Sequence, residues 1–148
     1  MRYHENRHAV LIKARPGEVA AEIIRWGEAA WWPKDSLMSF FRLFKGPIEL
    51  GTRYRQRVLL PFAPSWDVEV TALSDKGVTR KFLNGMFSGQ ETVSMKETRD
   101  GVEVSYLMHY RVNGALNWAL WALFFKKLHD RNIEAILKNL KEYSEKGR

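Results

Sequence analysis

The residue that most constrains chemistry in this chain is Glu91, which alternates with Val93 and Met95 in the run Glu91-Thr-Val-Ser-Met95. Alternation of this kind in a strand turns all three side chains to one face. A carboxylate among apolar neighbours must find a partner or accept a raised pKa. Arg80 alternates with Phe82 in the preceding run and is the expected partner. Two structural readings follow: an Arg80–Glu91 ion pair, or a bulge at Gly89 that swings Glu91 into solvent. The functional reading makes Glu91 a ligand anchor or the candidate catalytic general base, with Tyr106 and Tyr110 as donors.

Other reactive side chains are sparse. The four histidines, His4, His8, His109 and His129, lack the paired spacing and carboxylate company of a metal site, so no metal is expected. His109 is expected on an outer strand face, and His129 as a hydrogen-bonded core residue. No serine sits in a nucleophile elbow and no glycine-rich loop precedes a helix, so no nucleotide or other cofactor is expected. Arg53, Arg55 and Arg57 alternate along one strand and read as a solvated outer face; no nucleic-acid motif accompanies them, and nucleic acid is disfavoured as a partner.

The elements that must position these residues fit one domain spanning 1–148, long enough to fold without staples. The absence of cysteine excludes disulfides and thiol chemistry and suits a reducing compartment, so a cytoplasmic location is expected. The N-terminal run has no secretory h-region, and no apolar stretch reaches the roughly 18 to 20 residues of a membrane span. A formal charge of +7 favours anionic company without choosing among acidic ligands, lipid surfaces and nucleic acid.

Residues 3–14 alternate as a strand, and Arg15-Pro16-Gly17-Glu18 has proline and an acid where a helix begins. Val19, Ile23, Trp26 and Ala30 recur at helical spacing through 17–32, with Gly27 dividing the segment into two short helices and Pro33 ending it. Six strand-like runs follow at 37–45, 51–60, 66–74, 77–86, 87–98 and 101–113, separated by turn signals such as Asp75-Lys76-Gly77 and Asp100-Gly101. In the last run Val102, Val104, Tyr106, Met108, Tyr110 and Val112 share a face. Residues 115–145 form a final helix without proline or glycine.

This order resembles the helix-grip fold of the START-like superfamily, also labelled SRPBCC or polyketide cyclase/dehydrase-type. The likeness covers the whole chain and rests on the Ala14-Arg-Pro-Gly-Glu-Val19 turn, Trp31-Trp32-Pro33, Gly51-Thr-Arg-Tyr54, and Gly85-Met-Phe-Ser-Gly89-Gln-Glu91-Thr-Val93-Ser-Met95 followed by Asp100-Gly101. The resemblance implies an α+β domain in which a curved antiparallel sheet of about seven strands wraps a long C-terminal helix around a cavity. Members often carry histidine where this chain has Glu91. They include lipid carriers, metabolite binders, aromatase/cyclases and chaperone activators, so the fold leaves the function open.

With that cavity in place, the inward strand faces would supply its lining: Tyr54, Gln56, Trp66, Val68, Arg80, Phe82, Glu91, Val93, Met95, Tyr106, Met108 and Tyr110. An ordinary filled core explains the same faces. The resemblance places the start of the last helix near the cavity mouth, which adds Trp118 and Trp121.

Projected at 100° per residue, Trp118, Ala122, Phe125, His129, Ile133, Ile136, Leu140 and Tyr143 form the stripe assigned to the sheet. Leu116, Leu120, Leu123 and Phe124 form a second apolar face, which with Trp31 and Trp32 is expected to make up the entrance or interaction surface. That face is covered by the Trp31-Trp32 segment or by loops, or meets a second subunit as a homodimer seam, or makes a peripheral membrane contact. The expected function is binding of a hydrophobic small molecule, a lipid or an aromatic metabolite, by a carrier or sensor. A cyclase-like enzyme using Glu91 with Tyr106 and Tyr110 is the alternative, and a protein-interaction module of the chaperone-activator kind is the third.

Overall fold

The computed structural model describes residues 2–61 and 63–146. Strand β1 (His4–Ile12) leads into helix α1 (Pro16–Ile24), and an irregular segment then reaches β2 (Met38–Arg42). A meander follows through β3 (Arg53–Val58), β4 (Ser65–Ser74), β5 (Gly77–Phe82), β6 (Phe87–Thr98) and β7 (Gly101–Val112). The chain ends in α2 (Ala115–Leu120), a π-helical turn at Trp121–Phe125, and α3 (Lys126–Lys146).

Strand order is β1-β7-β6-β5-β4-β3-β2, antiparallel throughout. The seven strands curl into a half-barrel around the long C-terminal helix. One face is dry: β3 alternates strictly between exposed and buried residues, and β7 buries every even-numbered residue from Val102 to Val112. The Asp75–Lys76 and Arg99–Asp100 turns close two hairpins. At the second, the Thr98 hydroxyl donates to the Gly101 carbonyl while accepting from the Asp100 amide.

Pro16 begins α1, and its buried face carries Val19 and Ile23. The second short helix expected in this region is absent. Residues 25–32 run instead as successive turns closed by amide bonds such as Trp26 to the Ile23 carbonyl and Trp32 to the Ala29 carbonyl. The cause is Gly27, held at φ +88° with the Phe40 ring where a Cβ would sit, 1.9 Å from one ring carbon. A conformation only glycine adopts readily resets the chain, so Ala29 turns inward in place of the expected Ala30.

The C-terminal segment grips the sheet through polar tethers as well as apolar contact. Asp130 accepts from Asn6 Nδ2 at 2.7 Å and meets His8 Nε2 at 3.0 Å, while Lys141 Nζ donates to the Leu11 carbonyl at 2.8 Å. Ile133, Ile136, Leu137 and Leu140 are buried on the inner side. Burial of each such side chain contributes roughly 1.5–3 kcal/mol.

Gly89 produces no bulge. Register runs unbroken through Gly89↔Tyr110, Gln90↔His109 and Glu91↔Met108, so Glu91 stays inward. At φ +117° a Cβ on Gly89 would lie 2.0 Å from the His109 carbonyl oxygen, whereas one on Gly46, at φ +138°, would meet nothing. Gly89→Ala is therefore expected to destabilise more than Gly46→Ala, whose cost is backbone strain alone, about 1–3 kcal/mol. Urea unfolding midpoints check the order, and equal losses would remove the steric account.

Candidate functional site

The inward faces of β3 to β7 bring together Tyr54, Gln56, Trp66, Val68, Arg80, Phe82, Glu91, Val93, Met95, Tyr106, Met108 and Tyr110, all buried. Alternation placed them there, and the unbroken β5–β6–β7 register sets Arg80, Glu91 and Met108 side by side. At the centre is a chain of hydrogen bonds. Trp66 Nε1 donates to Gln56 Oε1 at 2.6 Å, Gln56 Nε2 donates to Glu91 Oε1 at 2.7 Å, and the Tyr106 hydroxyl donates to Glu91 Oε2 at 2.9 Å. An indole only donates, so it fixes the Gln56 amide orientation and directs the NH2 group at the carboxylate. Burial pushes the Glu91 pKa up, while the Arg80 charge and the two donors pull it back.

Arg80 is completely buried and does not make the expected ion pair by hydrogen bonding to Glu91: none of its three guanidinium nitrogens has a hydrogen-bond partner among the described residues. Its guanidinium carbon instead lies 5.0 Å from the Phe40 ring centroid and 5.2 Å from that of Tyr54. The Tyr54 hydroxyl is likewise buried without a partner. Burying a charge without hydrogen bonds costs several kcal/mol, and desolvated cation–π contacts return about 2 kcal/mol each. The deficit makes Arg80 the least satisfied group in the interior.

The roomy hollow expected from the sequence is closed. Rings of Trp66, Phe87, Tyr110 and Trp121 pack edge to face, Tyr106 stacks on Trp26, and the Trp121 indole donates to the Tyr110 hydroxyl at 3.1 Å. A void of about 10 Å³ lies between sheet and helix, walled by the buried Val58, Trp66, Met86, Trp121 and His129 and the half-buried Met38, Pro64, Phe125 and Leu128. That is space for about one water molecule. Of its walls the sequence reading singled out Trp66 and Trp121 as lining. Met38 and Val58 were findable, since Met38 alternates with Phe40 and Val58 with Gln56.

Two further placements differ from expectation. Trp118 stacks on His4 at the surface, with 40% of its area exposed, while Trp121 turns inward. The π-helical turn is the reason. In a regular α-helix Trp121 and His129 would sit about 80° apart; one extra residue in the turn cuts that to about 20° and brings their rings to 5.5 Å. Second, the Trp31-Trp32 segment does not cover the second apolar face: both rings pack on Trp26, and Asn139 Nδ2 of α3 donates to the Trp31 carbonyl. Leu116, Leu123 and Phe124 therefore remain 75%, 68% and 63% exposed, with Leu120 half-buried beside them. Nothing within the described chain covers that face.

On the outer side of the sheet, Arg53 and Arg55 pair across strands with Glu69 and Asp67, and Arg57 faces solvent. His109 is exposed and stacks on Tyr3. Among the described residues no three His, Asp or Glu side chains converge as metal ligands, and no helix is long and apolar enough to cross a membrane.

Neither a protein-family model nor a curated protein matches this chain. Solved structures do. The aromatase/cyclase Zhui from a Streptomyces species superposes with a TM-score of 0.70 at 11% identity, covering 97% of this chain and 94% of its own. The KanY protein gives 0.72 at 19% identity over 98% and 99%. A major latex-like protein of Panax ginseng gives 0.67 at 12% over 96% and 97%. With seven antiparallel strands curled about a C-terminal helix, the chain has the helix-grip fold, which these structures share.

His129 is buried, with no hydrogen-bond partner on Nε2, and desolvation drops its pKa to about 4, against the opposing pull of Asp130. His8 and Lys126 also disfavour its charge. A depressed pKa means stability that is present above pH 6.5 and lost as pH falls toward 4, on the order of 3 kcal/mol for this group. Unfolding free energy followed from pH 7 to 4 should show that decline, and His129→Gln should flatten it. An unchanged slope in the variant would assign the acid sensitivity elsewhere.

Proposed function

We propose that residues 1–148 act as one domain that binds a hydrophobic small molecule, a lipid or an aromatic, polyketide-like metabolite, between the sheet and the C-terminal helix, as a non-catalytic carrier or sensor. The observation that carries this reading is the position and make-up of the small void. It lies where the sheet meets the helix, walled by Met38, Met86 and Phe125, side chains able to change rotamer and widen it. Phe125 belongs to the same π-helical turn as the exposed Leu123 and Phe124. In this reading the uncovered apolar face is the entrance lip, available to a membrane or a second copy during transfer. The aromatase/cyclase and latex-like proteins of the same fold support a small-molecule role by analogy. A cytoplasmic location belongs to the same reading, on the cysteine-free composition.

The buried Tyr106–Glu91 contact favours a second reading, a cyclase-like enzyme with Glu91 as base. Against it, both Glu91 oxygens are occupied by donors and the Tyr110 hydroxyl is engaged by Trp121. Glu91→Gln separates the two: turnover disappears in an enzyme, whereas a carrier shows only altered affinity. A closed interior is also what a protein-interaction module of this fold would have, and ligand uptake decides against it.

Protein unfolded, stripped of ligand and refolded is expected to take up Nile red saturably, and native mass spectrometry of the unstripped protein to show a co-purifying small molecule. Absence of both sinks the proposal. Leu123→Ser with Phe124→Ser should slow dye entry in stopped-flow measurements while changing stability by no more than about 0.5 kcal/mol per site, since both are exposed.

A further inference from the structure

We infer that the ligand of this interior carries an anionic head group, a carboxylate or similar oxyanion, received by the Arg80 guanidinium and the Tyr54 hydroxyl. This rests on the ligand-binding reading above and specifies which class of ligand the site takes.

The argument begins with the charges inside. Arg80 and Glu91 are the only buried residues of ordinarily charged type among the described ones. Glu91 is satisfied, with donors on both oxygens. Arg80 carries the opposite charge a strand away, yet Nε, Nη1 and Nη2 all lack an acceptor. The Tyr54 hydroxyl lacks a partner too, and its ring lies against the same guanidinium. A guanidinium and a hydroxyl that can donate or accept therefore lie together in one dry place, close enough that each shifts the other's pKa, yet without a well-formed hydrogen bond on any of their polar atoms. Aromatic faces of Phe40 and Tyr54 steady the cation and supply no lone pair in the plane of the guanidinium fork. A planar oxyanion fits that fork bidentately, whereas a neutral hydroxyl or carbonyl oxygen accepts from it without the second charge and binds it less strongly.

Placement also relates the head to a body. Met38 and Val58 wall the void; Phe40 lies two residues from Met38, and Tyr54 four from Val58, on the same inward faces. At the rise of a strand, Phe40 lies roughly 7 Å from Met38 and Tyr54 roughly 13 Å from Val58, and the Arg80 guanidinium sits against both of those rings. A molecule that widened the void and turned Phe40 aside would reach Arg80 with its head while keeping its apolar portion against Met38, Val58 and Met86. The ligand class is an amphiphilic acid, either a straight-chain or an aromatic one.

The test compares matched acid and alcohol pairs, decanoate with decanol and naphthoate with naphthol, by titration calorimetry at pH 7.5. Wild-type, Arg80→Met and Tyr54→Phe proteins are used, with sodium sulfate as a bare-anion arm. In the wild type at least one acid is expected to bind about tenfold or more tighter than its alcohol. The pair that does so tells a chain-like from an aromatic source. Arg80→Met should bring that ratio to about one, with alcohol affinity held within about threefold. Tyr54→Phe should reduce the ratio in part. Equal binding of acid and alcohol in the wild type, or a ratio kept by Arg80→Met, each overturns the inference while leaving hydrophobic binding intact. Stabilisation by sulfate equal to that by the acids also overturns it, because the site would then take a free anion. Binding of neither series overturns the ligand reading itself, and the inference with it.

Discussion

A single carboxylate inside an apolar sheet face organises the centre of this protein. Glu91 stays there because its register partners point the same way and because Gln56 and Tyr106 each deliver a hydrogen bond to one of its oxygens. Trp66 then completes the chain by fixing the Gln56 amide. Four strands, β3, β4, β6 and β7, are thereby tied at one depth by groups that must be paired once buried. The same arrangement withholds Glu91 from Arg80. A carboxylate already supplied with donors leaves the neighbouring guanidinium to the faces of two rings.

The second constraint is the phase of the C-terminal helix. Three turns of apolar residues on both sides give a regular helix no unique way to meet the sheet. The π-helical turn at Trp121–Phe125 resolves the ambiguity by placing Trp121 over Tyr110 and beside His129, at the cost of leaving Leu116, Leu123 and Phe124 in water. Single-turn π-bulges of this kind often accompany functional sites. Here one sits beside the void of about 10 Å³ between sheet and helix, which Trp121 and Phe125 help to wall.

The closed interior and the unpaired cation bear on each other. Rings that fill the space give the ligand-free fold its cohesion, and the methionines and Phe125 around the void are the side chains best able to give way. Affinity would then reflect the work of opening as well as the contacts made, so that a head group satisfying Arg80 contributes where apolar burial is partly offset.

Much of this architecture was written locally. Period-two alternation in β3 and β7 fixed which side chains face inward, turn residues at Asp75-Lys76 and Asp100-Gly101 fixed the hairpins, and Pro16 fixed the start of α1, because each depends on neighbours a few residues away. What required the folded molecule was non-local. Gly27 could be read as a break, but that the Phe40 ring occupies its Cβ position, ruling out a second helix, depends on a strand thirteen residues on. The one-residue slip that exchanges Trp118 for Trp121 arises from packing against Tyr110 and His129, which a uniform 100° projection ignores. Alternation put Arg80 and Glu91 on one face; which of them would find hydrogen-bond partners was decided by the reach of Gln56 and Tyr106 from other strands, since the direction of a side chain follows from sequence period and its bonding from three-dimensional proximity.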